Sequence, residues 1–458
     1  MSNPQEAAIQ YLHANHDKFV EELTEFSKIP SISTDPKYKE DMKKTADWVA
    51  NQFRELHFSN VKIFPTDGHP VVYGEYLNAG KQAPTALIYG HYDVQPAEPI
   101  DKWDSPPFEP VVRGENIYAR GVTDMKGQVL ATIKAVKAII KTGDMPVNVK
   151  FMIEGEEEIG SPNLAKFIKD HKDMLACDFA LNPDTGMIAP NVPTITYALR
   201  GLAYFELKIY GPALDLHSGV YGGVVHNPAQ ALAELIAGMH DNNGKVTLPG
   251  FYDSVRPLDP EEREELSRSP MDENFYLERT GVKKLWGEKE YTPVERTGAR
   301  PTLEINGMFS GFIGKGSKTV LPAFAMAKIS CRLVPDQHPD EVHNQLIAYL
   351  KQNAPDTIRW EVSVLTGGEP SLSNRNSKWV KAYLKAAETS WGTRPIFKRE
   401  GGSVPVVSDF QKILNVDSVN IGFATPDDNM HGPNEKLHLP TWFHGMDALV
   451  HFFYNLSE

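Results

Sequence analysis

The chain has 458 residues, 41% hydrophobic and 23% charged, a globular composition that excludes a disordered, collagen-like or coiled-coil protein and at this length favours two domains. Its 47 Lys and Arg against 60 Asp and Glu give a net charge of −13, which argues against nucleic acid or an anionic membrane as a partner. No stretch approaches the ~20 apolar residues of a membrane span. Residues 1–10 lack the basic and apolar regions of a secretion signal, so a cytoplasmic protein is expected, with Cys177 and Cys331 as reduced core thiols.

In chain order, a helix is predicted over residues 6–29, with Ile9, Leu12, Phe19, Leu23 and Phe26 on one face and Pro30 as its stop. Residues 85–89 read as a buried strand. Val129, Leu130, Ile133, Val136, Ile139 and Ile140 recur at helical spacing before Gly143, and residues 147–153 read as a second buried strand, which makes a βαβ crossover. A third strand is expected over 178–181. From Gly201 the texture changes to a strand over 203–210, a helix over 227–239, a long polar stretch over 257–300, a strand over 324–334 and a helix near 341–350. Alternating α/β texture returns by residues 378–387, and a strand is expected over 418–423. The expected fold class is α/β: a mainly parallel-sheet domain, residues 1–201 and 371–458, with an α+β domain, residues 202–370, inserted in it.

Each of the four short apolar strands is closely followed by His, Asp or Glu. His91 and Asp93 follow the first at positions i and i+2, which share a side of an extended backbone, so Asp93 can hold the His91 ring. Asp124 stands just before the amphipathic helix, where it could cap the helix, bridge cations or do both. Glu156, Glu157 and Glu158 follow the second strand; three carboxylates at the mouth of a buried strand repel one another, and cations relieve that. Asp184 ends the third strand and His431 lies beyond the last. Each residue alone has an ordinary explanation as a turn former or a solvated side chain. Together they lie where open α/β sheets bind ligands, and imidazole with carboxylate but no thiolate suits zinc, manganese or cobalt.

Several strings are longer and more specific: Gly90-His91-Tyr92-Asp93-Val94-Gln95-Pro96, the run from Asp215 to Gly223 that contains His217-Ser218-Gly219, Arg332-Leu333-Val334-Pro335, and Arg399-Glu400-Gly401-Gly402-Ser403. With these the whole chain resembles the dinuclear zinc metallopeptidases that include carnosinase, the cytosolic nonspecific dipeptidase, aminoacylase and carboxypeptidase G, and is most similar to the carnosinase and nonspecific-dipeptidase branch. The resemblance implies two divalent ions per chain, zinc first and manganese or cobalt as alternatives, one held by His91, Asp124 and Asp184 and the other by Asp124, Glu158 and His431. It implies Asp93 as partner of His91. Because the family carries a Gly two residues after the ligand of its Glu-Glu pair, Gly160 selects Glu157 as general base and Glu158 as ligand.

The resemblance also implies that the inserted domain is a lid through which a homodimer forms. His217 would be lent across that interface to the scissile carbonyl, while Arg332 receives the substrate carboxylate in a pocket with Thr319, Gly402 and Ser403; His431 would contact the substrate as well as a metal. The implied activity is hydrolysis of dipeptides; an N-acyl-amino-acid deacylase is the alternative on the same metal site, and a non-catalytic small-molecule binding protein the alternative of another class. Two departures stand out: Glu156 where the dipeptidases carry an uncharged residue, and Gly432-Pro433 after His431 where carnosinase-like members carry Ser and a polar residue.

Overall fold

In the computed structural model, which describes residues 3–402 and 404–457, the four apolar runs form the centre of one mixed sheet. Strands Asn148–Glu154, Thr85–His91, Phe179–Asn182 and Ser418–Asn420 lie side by side and parallel. Val71–Tyr76 and then Ser59–Phe64 extend one side antiparallel, and Thr194–Leu199 begins the other. Every residue of Asn148–Glu154 is buried, and so is all of Thr85–His91 beyond its first residue, which is why these strands read as unbroken apolar runs. The crossover between them contains helix Gly127–Thr142, buried from Gly127 to Ile139. The Trp442 indole, on helix Leu439–Asn455, donates to the Gly127 carbonyl and ties the two helices together.

The chain divides into two compact units, one comprising the described residues up to Tyr197, Ser373–Lys398 and those from Val404, the other Ala198–Leu372 with the segment that starts at Arg399. The second unit is built on a four-stranded antiparallel sheet in the order Thr302–Ser310, Phe324–Leu333, Gly201–Tyr210, Arg359–Gly368. Gly201–Tyr210 alternates buried and half-buried residues along its length, the period-two signature of a sheet covered on one face. Helices Pro228–Gly238 and Pro339–Asn353 cover it, and Phe205, Leu207, Ile209, Leu235, Ile329 and Leu346 fill the space between.

Two readings of the sequence change. The helix expected over 6–29 is two helices, Pro4–His13 and His16–Ser27. Asn15 turns its side-chain amide back onto the Tyr11 carbonyl at the break, while the apolar spacing carries on through it. The polar stretch over 257–300 holds three short helices, Pro260–Ser267, Glu273–Thr280 and Pro293–Gly298, each started by an Asp or Thr cap. Both cysteines are free thiols, and no helix among the described residues is long and apolar enough to cross a membrane.

Candidate metal and catalytic site

Strand register brings the candidate ligands together. His91 ends its strand opposite Glu154, so the Glu156–Glu158 run begins where the neighbouring strand stops, and Asp184 follows Phe179–Asn182 by two residues. Parallel strands finish on one side, and these side chains meet beyond their carboxyl ends.

His91 is fully buried, with Nδ1 3.0 Å from the Asp93 carbonyl oxygen. That oxygen can only accept, so Nδ1 carries a proton and Nε2 is the atom left for a cation. Nε2 stands 3.2 Å from Asp124 Oδ1 and 4.0 Å from Asp184 Oδ1. The other Asp124 oxygen, Oδ2, lies 2.8 Å from His431 Nε2, which is 3.4 Å from Glu158 Oε2. One carboxylate thus faces two imidazoles, one oxygen to each. The result is two potential ligand groups, His91–Asp124–Asp184 and Asp124–Glu158–His431, each with its donor atoms within 4.8 Å of one another.

The electrostatics fit cations. Burial opposes a charged His91, yet Asp124, Asp93 and Asp184 outweigh it and hold its pKa well above the ordinary value. Burial is likewise the largest influence on Asp124, but His431 and His91 overcome it and depress that carboxyl. Burial, partly opposed by His91 and reinforced by Asp124, pushes Asp184 up to about 6. Burial and then Asp124 also raise Glu158, whose Oε1 is buried with no hydrogen-bond partner among the described residues. An orphaned carboxylate oxygen in a site with more carboxylates than imidazoles is what a divalent ion would satisfy.

Asp124 sits in the turn Gly121–Lys126. Gly121 has φ +82°, and a Cβ there would come within 2.3 Å of Val94 Cγ1, so the turn needs glycine. Asp124 itself is non-helical, with φ −124° and ψ 96°, and the helix starts only at Gly127. The capping role open to Asp124 in the sequence is therefore not taken up; its side chain goes to the imidazoles instead. Lys126 Nζ donates to the carbonyls of Phe26 and Ile29 and anchors the turn to the end of helix His16–Ser27.

Asp93 does more than its spacing suggests. Its carboxylate lies 3.4 Å from His91 Nδ1 and also accepts from the backbone of Glu157 at 3.2 Å and Glu158 at 3.1 Å, so it orients both the ring and the Glu turn. Glu156 stands outside both ligand groups: it is buried and accepts from His69 N and the Asn163 amide. Gln95, absent from the candidate residues read in the sequence, donates to Glu158 Oε2 at 2.7 Å. Arg120 and Glu435 were not singled out either; they form a fully buried ion pair at 2.6 Å behind Asp124. The only sequence signal for Glu435 is its place four residues after His431.

The second unit carries the remaining candidates. His217 is exposed and pairs with Val320 in a short antiparallel ladder, and the Thr319 carbonyl accepts from Ser218 N. His217 Nδ1 accepts from Gly219 N at 2.9 Å, which leaves Nε2 as the N–H donor. Arg332, on Phe324–Leu333, lines a cavity of about 430 Å³ with Arg200, Glu304, Asn306 and Ser330. Arg200 N donates to the Gly402 carbonyl, which brings that turn to the cavity's edge; Ser403 lies outside the described residues.

Carboxylate-bridged pairs of ligand groups beside a further glutamate define a metal-dependent hydrolase. The chain belongs to peptidase family M20/M25/M40, whose family model matches residues 87–455. It is 32% identical to the beta-Ala-His dipeptidase of Homo sapiens over 473 residues, covering 99% of this chain and 93% of that one. It is 31% identical to the Cys-Gly metallodipeptidase DUG1 of Saccharomyces cerevisiae over 480 residues, covering 100% and 99%. The crystal structure of the M20 family metallo-carboxypeptidase Sso-CP2 from Sulfolobus solfataricus superposes with a TM-score of 0.85 at 34% identity, over 96% of this chain and 99% of that chain.

Proposed function

We propose that this peptidase hydrolyses the peptide bond of dipeptides with a free carboxyl terminus, using two divalent ions and Glu157 as general base. The observation that carries the reading is the Asp124 carboxylate facing His91 with one oxygen and His431 with the other, each pair completed by a further carboxylate. His91, Asp124 and Asp184 would hold one ion, and Asp124, Glu158 and His431 the other. The absence of thiolate among these donors supports zinc, with manganese or cobalt as alternatives. Two such ions, when bound, acidify water and polarise the scissile carbonyl.

The rest of the chemistry belongs to the chain. Glu157 takes the proton of the attacking water and returns it to the leaving amine as the C–O bond forms and the C–N bond breaks. Asp93 fixes Glu157 through its backbone N–H. His217 presents its Nε2–H to the developing oxyanion. Arg332 is assigned the terminal carboxylate, and Thr319, Gly402, Ser403 and His431 are assigned substrate-binding roles. Burial, reinforced by Arg332, pulls the Arg200 pKa down to about 10, and an anion entering the cavity would relieve that repulsion.

Residues 202–370 are read as lid and dimerisation domain, and residues 1–201 and 371–458 as the catalytic domain. Leu214, Val220, Tyr221 and Val224, all exposed apolar residues flanking His217, support a homodimer formed through the lid. Two free thiols support a cytoplasmic location.

The function is tested by loading metal-stripped protein with Zn²⁺, Mn²⁺ or Co²⁺ singly and assaying dipeptides, longer peptides and N-acyl amino acids. Turnover of N-acyl amino acids alone would transfer the assignment to a deacylase. Asp124→Asn and Glu158→Gln should each lower bound metal below two ions per chain; elemental analysis finding two in both would remove these residues from the ligand set. Arg332→Ala should raise KM for free dipeptides, because the guanidinium fork matches a carboxylate. If the wild-type enzyme cleaves C-terminally amidated dipeptides as well as free ones, Arg332 is not the receptor.

A further inference from the structure

Behind the ligands lies a connection that the hydrolytic chemistry does not use directly. Glu435, fully buried, accepts at Oε1 from Thr123 N at 3.0 Å and Asp124 N at 3.2 Å, and at Oε2 from Gly121 N at 2.9 Å and Arg120 Nη1 at 2.6 Å. Arg120 Nη2 goes on to the carbonyls of His431 and Pro96, each at 3.1 Å. His431 has φ +61°, a conformation uncommon for a residue with a side chain and held only where its surroundings demand it. A second tie, Thr123 Oγ1 to Asp428 Oδ2 at 2.9 Å, joins the same two segments.

These contacts are selective. Three backbone N–H groups of the Asp124 turn end on Glu435, and the carbonyl of His431 ends on its partner Arg120; among the described residues neither side chain hydrogen-bonds to His91, Asp184 or Glu158. Those three have holds of their own. His91 is fixed by the Asp93 carbonyl, Asp184 N donates to Asn182 Oδ1, and Glu158 is held by Asp93 and Gln95. The Asp124–Glu158–His431 group therefore depends on the ion pair for two of its three members, and the His91–Asp124–Asp184 group for only one. A buried ion pair is weak evidence of stabilisation, since burying both charges costs about as much as their attraction returns. What this one contributes is placement.

We propose that Arg120 and Glu435 are positioning residues that preorganise the second metal site, setting its affinity separately from that of the first. The proposal rests on the ligand assignment above. Outer partners of metal ligands typically change affinity by ~10- to 100-fold, and the change here falls chiefly on one ion of the two.

The test is calorimetric titration of metal-stripped protein with Mn²⁺, together with metal-free melting curves, for wild type, Arg120→Lys, Glu435→Gln and His431→Ala. Lysine keeps the charge opposite Glu435 but cannot span its carboxylate and two carbonyls at once; glutamine keeps the shape but loses acceptor capacity. Both variants should weaken the second Mn²⁺ by roughly 10- to 100-fold and the first far less, with an unchanged metal-free melt. Their activity should be lost at limiting Mn²⁺ and regained at saturating Mn²⁺, with KM for the dipeptide unmoved. His431→Ala should lose the second ion outright. Wild-type Mn²⁺ affinities in Arg120→Lys and Glu435→Gln, with the second ion lost in His431→Ala, overturn the positioning role and leave the ligand assignment standing. Two wild-type affinities in His431→Ala overturn that assignment and the proposal with it. Equal weakening of both ions, a lowered metal-free melt or failure to fold in both Arg120→Lys and Glu435→Gln identifies a general structural role and also overturns the proposal.

Discussion

Glu157→Gln is expected to keep the fold and both metal ions while kcat falls by ~10²- to 10⁴-fold, the usual cost of removing a general base. The side chain belongs to neither ligand group, so its loss should leave metal content at two ions per chain. Its backbone N–H is held by Asp93, and glutamine, the same size, keeps that hold. In the metal-free protein, burial, opposed by His91 and reinforced by Asp184, Asp124 and Asp93, raises the Glu157 pKa. An amide in the same place cannot take a proton from water. Elemental analysis alongside steady-state kinetics separates the base from a ligand, and near-normal turnover in the loaded variant would remove Glu157 from the mechanism.

The same region shows what a sequence can and cannot disclose. The four central strands were legible because burial on both faces leaves an unbroken apolar run, and the ligands were legible because each stands within a few residues of such a run. The last strand is shorter than its apolar run over 418–423: the ladder stops at Asn420, beyond which Ile421 N donates to the Asn182 carbonyl, the Ile421 carbonyl accepts from Thr185 N and the Ala424 carbonyl accepts from Met187 N. Glu156 shows the limit of reading a charge run, since its partners His69 and Asn163 sit 87 and 7 residues away and neither announces itself. Arg120 and Glu435 are 315 residues apart, and only the fold brings them together. The three short helices within 257–300 had a local signal, the caps Asp259, Asp272 and Thr292, which the surrounding Glu, Arg and Pro obscured.

Mixing two inactive variants should restore activity if His217 acts across a dimer. The motivation is chemical: every residue of the two ligand groups belongs to one unit, while His217 belongs to the other, exposed and with Nδ1 occupied by its bond from Gly219 so that Nε2 is the donor. An imidazole N–H donor suits a developing oxyanion. If each active site takes Glu157 from one chain and His217 from its partner, Glu157→Gln and His217→Ala should both be nearly inactive alone. In a mixed two-fold dimer one site carries both defects, and the other has both residues intact. Random reassortment puts half of the dimers in the mixed class, so about a quarter of wild-type sites should return. If His217 serves its own chain, every site keeps one defect and mixing restores nothing. The measurement is dipeptidase activity after co-refolding equal amounts of the two variants, with size exclusion and differently tagged chains verifying mixed dimers. Full activity of His217→Ala alone would dismiss the oxyanion role, and silent mixed dimers would confine the residue to its own chain.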